Sequence, residues 1–180
     1  MASEAEMLSR ALAGDERAFT ALYHLRQGPV FRFALHMTGS VEMAEDVTQE
    51  TFLALLSAGR RFDPARGNLG SFLYGIARNQ ILRRIDGRGF QPPPPEETAS
   101  PEDLLEDLTR RETVDQVRRA VLTLPAAYRE AVVLCDLEDA SYEEAAAILE
   151  CPVGTVRSRL NRARGLLAQK LRSAKWVCNA

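Results

Sequence analysis

The stretch over residues 141–167 constrains the fold most, because it reads as a helix, a tight turn and a second helix. Ser141 followed by Glu144 forms a capping box, which predicts a helix start. Pro152 suits the first turn of a helix and not its interior, so the second helix should begin near Val153. The spacing therefore predicts a helix-turn-helix near the end of the chain.

The second predicted helix separates an apolar face from a polar face. Residues four, three and four apart share its buried side: Val156, Leu160, Ala163 and Leu167. The other side carries Ser158 and Asn161 between Arg157 and Arg162, and no acidic residue occurs after position 153. Hydroxyl, amide and guanidinium groups suit base edges and phosphates in a major groove. The alternative is a helical hairpin with a solvated basic face, but the concentration of arginine favours DNA.

Charge is segregated along this chain of 180 residues. The net charge is only −2 and 46% of the residues are hydrophobic, so a core can form and indiscriminate nucleic-acid binding is disfavoured. Residues 112–150 are predominantly acidic, and the basic segment follows directly. This pattern predicts an acidic outer surface and a basic surface where nucleic acid approaches.

Composition excludes several classes of protein. The three cysteines form no CxxC pair and the two histidines have no metal-ligand neighbours, so we expect reduced thiols, no metal and no cofactor. The N-terminus carries no signal segment and no apolar run approaches 18 residues, which predicts a cytoplasmic protein without membrane insertion. We find no nucleophile with a base and no glycine-rich phosphate loop, so we do not expect an enzyme.

The N-terminal half is predicted to be helical, with caps at Ser3, Asp15 and Ser40. Between the last two caps, we read the apolar run at 30–37 as a separate segment after the helix that Asp15 begins. No sustained alternation of polar and apolar residues indicates a strand.

The helix that Ser40 begins carries an acidic stripe, formed by Glu42, Glu45, Asp46, Gln49 and Glu50. A di-metal site would need Glu-x-x-His motifs, which the segment lacks. Two interpretations remain for the stripe: a solvated face, or a docking surface for a basic partner helix.

Basic and aromatic residues are combined over residues 59–85, where Pro64, Gly67 and Asn68 indicate a loop before a helix. Asn79 and Arg83 are four apart and share an exposed face. The nearby aromatic residues Phe62, Phe72 and Tyr74 suit unstacked single-stranded bases, although core packing explains at least one of Phe72 and Tyr74 equally well.

A proline-rich stretch, GRGFQPPPPEETA at 87–99, separates the two halves and favours an extended spacer. A helix start follows at Ser100. Its inward face is predicted to comprise Val114, Val117, Val121 and Leu124, and another helix is predicted over 126–137. The tail with Trp176 and Cys178 indicates no role.

Three segments together resemble bacterial extracytoplasmic-function sigma factors. The first segment is GTVRSRL at 154–160 followed by Arg162-Ala163-Arg164, together with the upstream motifs Leu124-Pro125 and Tyr128-Arg129-Glu130-Ala131. The second segment is AEDVTQETF at 44–52, and the third is the segment 62–85. Two departures from the family are Glu150, where glycine is usual, and Phe72, where tryptophan is frequent. A left-handed conformation at Glu150 would cost about 1 kcal/mol.

The resemblance implies an all-α fold of two small helical domains joined by the proline-rich linker. The first domain (1–87) would bind core RNA polymerase and open the minus-ten promoter element, the linker would span 88–100, and the second domain (101–175) would read the minus-thirty-five element. The implied polymerase contacts are Glu42, Glu45, Asp46, Gln49 and Glu50; the minus-ten contacts are Phe62, Arg66, Asn68, Asn79 and Arg83; the minus-thirty-five contacts are Thr155, Arg157, Ser158, Asn161 and Arg162. The implied partners are core RNA polymerase, promoter DNA as duplex and as melted non-template strand, and an anti-sigma factor.

Two rival functions explain less of the sequence. A stand-alone helix-turn-helix regulator that binds duplex DNA as a dimer leaves the acidic stripe and the Phe62 loop unexplained, and an enzyme lacks a catalytic constellation. The acidic and basic surfaces also suggest a compact, inactive arrangement of the free protein, which we treat as a hypothesis.

Overall fold

The computed structural model describes residues 3–86 and 106–177, and these residues form eight α-helices and no strand. The N-terminal domain (residues 3–86) contains α1 (Glu4–Leu12), α2 (Glu16–Thr38), α3 (Val41–Ala58) and α4 (Leu69–Asp86). The C-terminal domain (residues 106–177) contains α5 (Glu106–Leu122), α6 (Ala126–Val132), α7 (Tyr142–Ile148) and α8 (Val153–Val177). The predicted all-α fold is confirmed. None of the helices described is both long enough and apolar enough to span a membrane.

The helix starts follow the predicted caps. Ser3, Asp15, Ser40 and Ser141 each accept a hydrogen bond from the backbone amide three residues further on. The capping boxes at Ser3 and Ser141 are both complete, because Glu6 and Glu144 accept in turn from the serine amides. Each cap satisfies amides that have no partner within the helix.

The apolar run at 30–37 continues α2, so the prediction of a separate segment was wrong. Pro29 lies inside this helix and removes one backbone hydrogen bond. Leu22, Val30 and Phe33 nevertheless lie on one buried face that passes through the proline. Burial of this continuous face outweighs the local cost, so the helix does not break.

The C-terminal domain shows two further differences from the predictions. Val114 is 44% exposed, although it was predicted to face inward with Val121 and Leu124, which are buried. The helix predicted over 126–137 changes to a single π-helical turn, Val133–Leu137, after α6. The linker at 87–99, the helix start at Ser100 and Cys178 lie outside the described residues.

The two domains pack against each other. Helix α4 contacts α7, and α2 contacts both α5 and the π-helical turn. The buried apolar residues of both domains belong to one continuous cluster. This arrangement brings the helix-turn-helix beside the loop that precedes α4.

Candidate nucleic-acid interface

The helix-turn-helix consists of α7, a short turn and α8. Val156, Leu160 and Ala163 are buried, as the spacing predicts, and Leu167 is half-buried. The turn places Glu150 at φ 52°, in the left-handed region where glycine is favoured. Because Val156, Leu160 and Ala163 face the core, the polar face of α8 points away from it.

The polar face of α8 is open to solvent. Arg157, Ser158, Asn161 and Arg162 are exposed, and Thr155 is partly buried. The Arg157 guanidinium lies over the ring of Tyr142, 5.6 Å from its centroid. The Ser158 hydroxyl donates to the Thr155 carbonyl at 3.0 Å. This face presents guanidinium, hydroxyl and amide groups together, as contact with a major groove requires.

An ion pair holds α8 against the π-helical turn. The Arg164 guanidinium donates to both oxygens of Asp136, with distances of 3.1 Å and 2.6 Å. These hydrogen bonds to the Asp136 carboxylate raise the pKa of Arg164 above its ordinary value. A bidentate pair fixes orientation as well as distance, so Arg164 positions the exposed face of the helix.

A second polar surface lies along α4 and the loop before it. The rings of Phe62 and Phe72 are 5.5 Å apart, and Asn79 and Arg83 are exposed on the helix. These aromatic and amide groups border a cleft of about 350 Å³. Aromatic rings beside an amide are suited to an unstacked nucleobase.

The remaining residues predicted for this surface have different environments. Asn68 begins α4, because its side chain accepts from the Ser71 amide at 2.8 Å. Arg66 ends a short 3₁₀ turn, Pro64–Arg66. Tyr74 is directed inward instead: its ring lies 5.0 Å from that of Phe33, and burial raises the pKa of its phenol. Core packing therefore accounts for Tyr74, while Phe72 borders the cleft.

The acidic stripe forms one face of α3. All five residues predicted for it are exposed: Glu42, Glu45, Asp46, Gln49 and Glu50. Glu50 pairs with Arg84 of the same domain at 2.6 Å. Leu53 and Leu56 are 64% and 42% exposed, so apolar surface continues the acidic face, which the charge pattern did not predict. Within residues 3–86 and 106–177, no group of three potential ligands is placed to hold a metal ion.

Sequence reasoning missed two buried carboxylates between the domains. Glu130 is 3% exposed and accepts from Arg78 Nε of α4 at 2.8 Å. The Glu138 side chain is 2% exposed and accepts from the Tyr74 hydroxyl at 3.1 Å. Both lie in a segment that reads as an acidic surface, and both accept a hydrogen bond from a side chain of the other domain.

These features define an all-helical protein with a helix-turn-helix, a cleft bordered by aromatic residues and a helix with an exposed acidic face. Two family models match the chain: Sigma-70 region 2 over residues 22–90 and Sigma-70, region 4 over residues 115–167. The chain belongs to the extracytoplasmic-function family of RNA polymerase sigma factors. Sigma factors direct the initiation of transcription and are not enzymes.

Similar curated proteins cover most of the chain. The RNA polymerase sigma-H factor of Pseudomonas aeruginosa is 31% identical, over 92% of each chain. The ECF RNA polymerase sigma factor SigC of Mycobacterium tuberculosis is 37% identical, over 87% of this chain and 85% of its own. The ECF RNA polymerase sigma-E factor of Escherichia coli is 33% identical, over 92% of each chain.

Two solved structures share the fold. The sigma factor RpoE of Bartonella quintana, in complex with the anti-sigma factor NepR, has a TM-score of 0.71 and 28% identity, and the match covers 86% of this chain and 96% of that one. CnrH, in complex with the cytosolic domain of CnrY, has a TM-score of 0.73 and 25% identity, and the match covers 94% of this chain and 97% of that one.

Proposed function

We propose that this sigma factor recognises a two-part promoter with surfaces on separate domains. Residues 101–175 would read the minus-thirty-five element through Thr155, Arg157, Ser158, Asn161 and Arg162. Residues 1–87 would open the minus-ten element through Phe62, Arg66, Asn68, Asn79 and Arg83, and 88–100 would join the two domains. The observation that carries this proposal is the occurrence, in one chain, of an exposed polar α8 face and an aromatic cleft beside Asn79.

The two surfaces suit different states of DNA. An α-helix with exposed arginine and amide groups fits the major groove of a duplex. The cleft that Phe62 and Phe72 border has room for one base, and it would hold a flipped base without altering it. The proposed order is duplex recognition by α8 and capture of an unpaired base beside α4.

The exposed acidic face of α3 is the proposed docking surface for core RNA polymerase. Its carboxylates can pair with a basic helix of the partner, and Leu53 and Leu56 add apolar area beside them. Asp46→Lys should weaken co-purification with core polymerase at least tenfold, because a like charge then faces the basic partner. The matched control is Glu16→Lys, an exposed acid in the first turn of α2.

Run-off transcription with core RNA polymerase on a pool of promoter fragments tests the whole proposal. Addition of the protein should produce initiation at fragments that share a two-part element. Arg157→Ala should lose about tenfold in initiation and relax the upstream element, since a good base contact is worth roughly 1–3 kcal/mol. Asn79→Ala should affect only the downstream element. Lys170→Ala, exposed further along α8, is the control for charge alone.

One result would replace the proposal by its rival. Binding of duplex DNA as a dimer, without polymerase and without initiation, would identify a stand-alone regulator. We further propose control by an anti-sigma factor, because RpoE of Bartonella quintana was crystallised with the anti-sigma factor NepR. Recovery of such a partner with the tagged chain from its own cells, and its release by core polymerase, tests this point.

A further inference from the structure

We propose that Tyr142 of α7 is a positioning residue for promoter recognition, because its ring keeps the Arg157 guanidinium in the orientation that reaches a base edge. This inference rests on the proposed function, since it concerns the minus-thirty-five contact proposed for Arg157. It extends the recognition surface from α8 to the helix that precedes it in the helix-turn-helix.

The first turn of α7 fixes the position of Tyr142. Ser141 caps this helix and Glu144 completes the capping box, so the backbone of Tyr142, the first helical residue, has little freedom. The ring is half-buried and packs against the hydrophobic cluster. Asp136 is the main cause of the raised pKa of Arg164, and the nearby Tyr142 hydroxyl adds to it. Tyr142 therefore presents a fixed ring face to α8.

Arg157 lies on the exposed side of this ring. Its guanidinium carbon is 5.6 Å from the centroid of Tyr142, although the arginine side chain is otherwise open to solvent. An arginine in water samples several rotamers and loses that freedom when it binds a base. The attraction between the cation and the ring face favours one of these rotamers before DNA arrives. The ring therefore raises the fraction of the free chain in which Arg157 is competent to bind.

A ring differs from a carboxylate because it leaves the guanidinium free for DNA. Arg164 donates to both oxygens of Asp136, at 3.1 Å and 2.6 Å, so its charge and two of its donors are already used. Among the described residues, no carboxylate is paired with Arg157. A ring face carries no formal charge, so Arg157 keeps its own charge and the fork of donors that pairs with a guanine edge. Arg164 thus fixes α8, and Arg157 remains available to read DNA.

Two substitutions separate the ring of Tyr142 from its hydroxyl. Tyr142→Leu removes the ring face and keeps an apolar side chain against the core, whereas Tyr142→Phe keeps the face and removes the hydroxyl. The matched control is Arg162, which is exposed on α8 and lies over no ring in the described part of the chain. Circular dichroism of each variant establishes that its helices remain folded.

Nitrogen-15 relaxation of the arginine side chains measures the positioning directly in the full chain without DNA. We expect a higher order parameter for Arg157 Nε than for Arg162 Nε, both in the wild-type chain and in Tyr142→Phe. In Tyr142→Leu the order parameter of Arg157 should fall to that of Arg162. Equal order parameters for the two arginines in the wild-type chain would overturn the proposal.

A double-mutant cycle with Arg157→Ala measures the effect on promoter binding by the chain assembled with core RNA polymerase. When Arg157 is present, Tyr142→Leu should weaken binding about threefold to fivefold, which is the range of an exposed contact between a cation and a ring. In the Arg157→Ala background it should have no effect, and Tyr142→Phe should bind as the wild-type chain does. In the Arg162→Ala background the full loss from Tyr142→Leu should persist, because those two changes are independent.

The outcomes separate this inference from the proposed function. An equal loss from Tyr142→Leu with Arg157 and with Arg157→Ala would identify a structural role or a direct DNA contact, and would overturn the positioning role. A loss in Tyr142→Phe would attribute the effect to the hydroxyl, with the same consequence. Both results would leave the sigma function intact. If Arg157→Ala itself bound and initiated as the wild-type chain does, the proposed minus-thirty-five contact would fail, and the positioning role with it.

Discussion

Glu150 occupies a backbone conformation that its side chain opposes. Its φ of 52° lies in the left-handed region, which a residue with a Cβ adopts at a cost of about 1–2 kcal/mol. The turn persists because buried residues on both sides, Leu149 and Val156, fix the ends of α7 and α8. Packing of the two helices thus outweighs the local preference of one residue.

Glu150→Gly should raise the free energy of unfolding by about 0.5–1 kcal/mol, since glycine adopts the left-handed conformation without strain but loses more entropy on folding. Urea denaturation followed by circular dichroism measures the change. Glu143→Gly is the control, because Glu143 lies at an exposed position of the right-handed helix α7. This substitution should lower the free energy of unfolding by about 1 kcal/mol. Equal destabilisation by both changes would show that residue 150 is not left-handed in solution.

The start of α7 links local capping to contact between the domains. The Ser141 amide donates to Glu144, and Asn68 of the N-terminal domain donates to the same carboxylate. The hydrogen bond from the Ser141 amide is the main reason that the pKa of Glu144 lies below its ordinary value of 4.5, and the Asn68 contact lowers it further. Both contacts therefore favour the charged form of the Glu144 carboxylate.

Glu144→Gln should lower the free energy of unfolding by about 0.5–1 kcal/mol at neutral pH. Because the folded-state pKa is depressed, this contribution is present above pH 4.5 and disappears as the pH falls through the lower folded-state value. Urea denaturation of the wild-type chain and of Glu144→Gln at several pH values should show their free energies of unfolding converging at acid pH. A difference that stays constant down to the lowest pH would contradict the assignment.

Local signals made the helix starts and the exposed faces predictable. Ser3, Asp15, Ser40 and Ser141 act within three residues of their own position, and the polar face of α8 follows from a 3.6-residue period. Tertiary packing determines two features that the sequence did not predict: the continuation of α2 through Pro29 and the π-helical turn Val133–Leu137. The sequence around Pro29 and the π-helical turn carries no local sign that a buried face continues through them.

The environment of Glu138 depends on a domain distant in the sequence. Its neighbours in the chain are acidic and predict a solvated surface, whereas Tyr74, Arg32 and His36 surround it in the fold. The same holds for Glu130, whose partner Arg78 lies on α4. The contacts proposed for DNA and polymerase remain predictions, each drawn from one helix or loop. The contact between the domains could not be predicted, because it requires residues of both.

A close approach between the domains at Gly39 offers a test that does not depend on function. A Cβ added to Gly39 would lie 2.6 Å from Leu122 Cδ1 of α5, and the φ of Gly39 is 71°. Substitution by alanine therefore combines backbone strain with an interdomain clash. Gly14 has a φ of 95° and no atom within 4 Å of an added Cβ, so Gly14→Ala imposes strain without a clash.

A double-mutant cycle of Gly39→Ala with Leu122→Ala should show a coupling of about 1 kcal/mol in the free energy of unfolding, because removal of the leucine side chain relieves the clash and leaves only strain. Gly14→Ala should combine additively with Leu122→Ala, within about 0.5 kcal/mol. If the domains were separated in solution, Gly39 and Leu122 would be independent, and the Gly39 cycle would be additive as well. Coupling confined to Gly39 would establish that the two domains are packed together in the free chain.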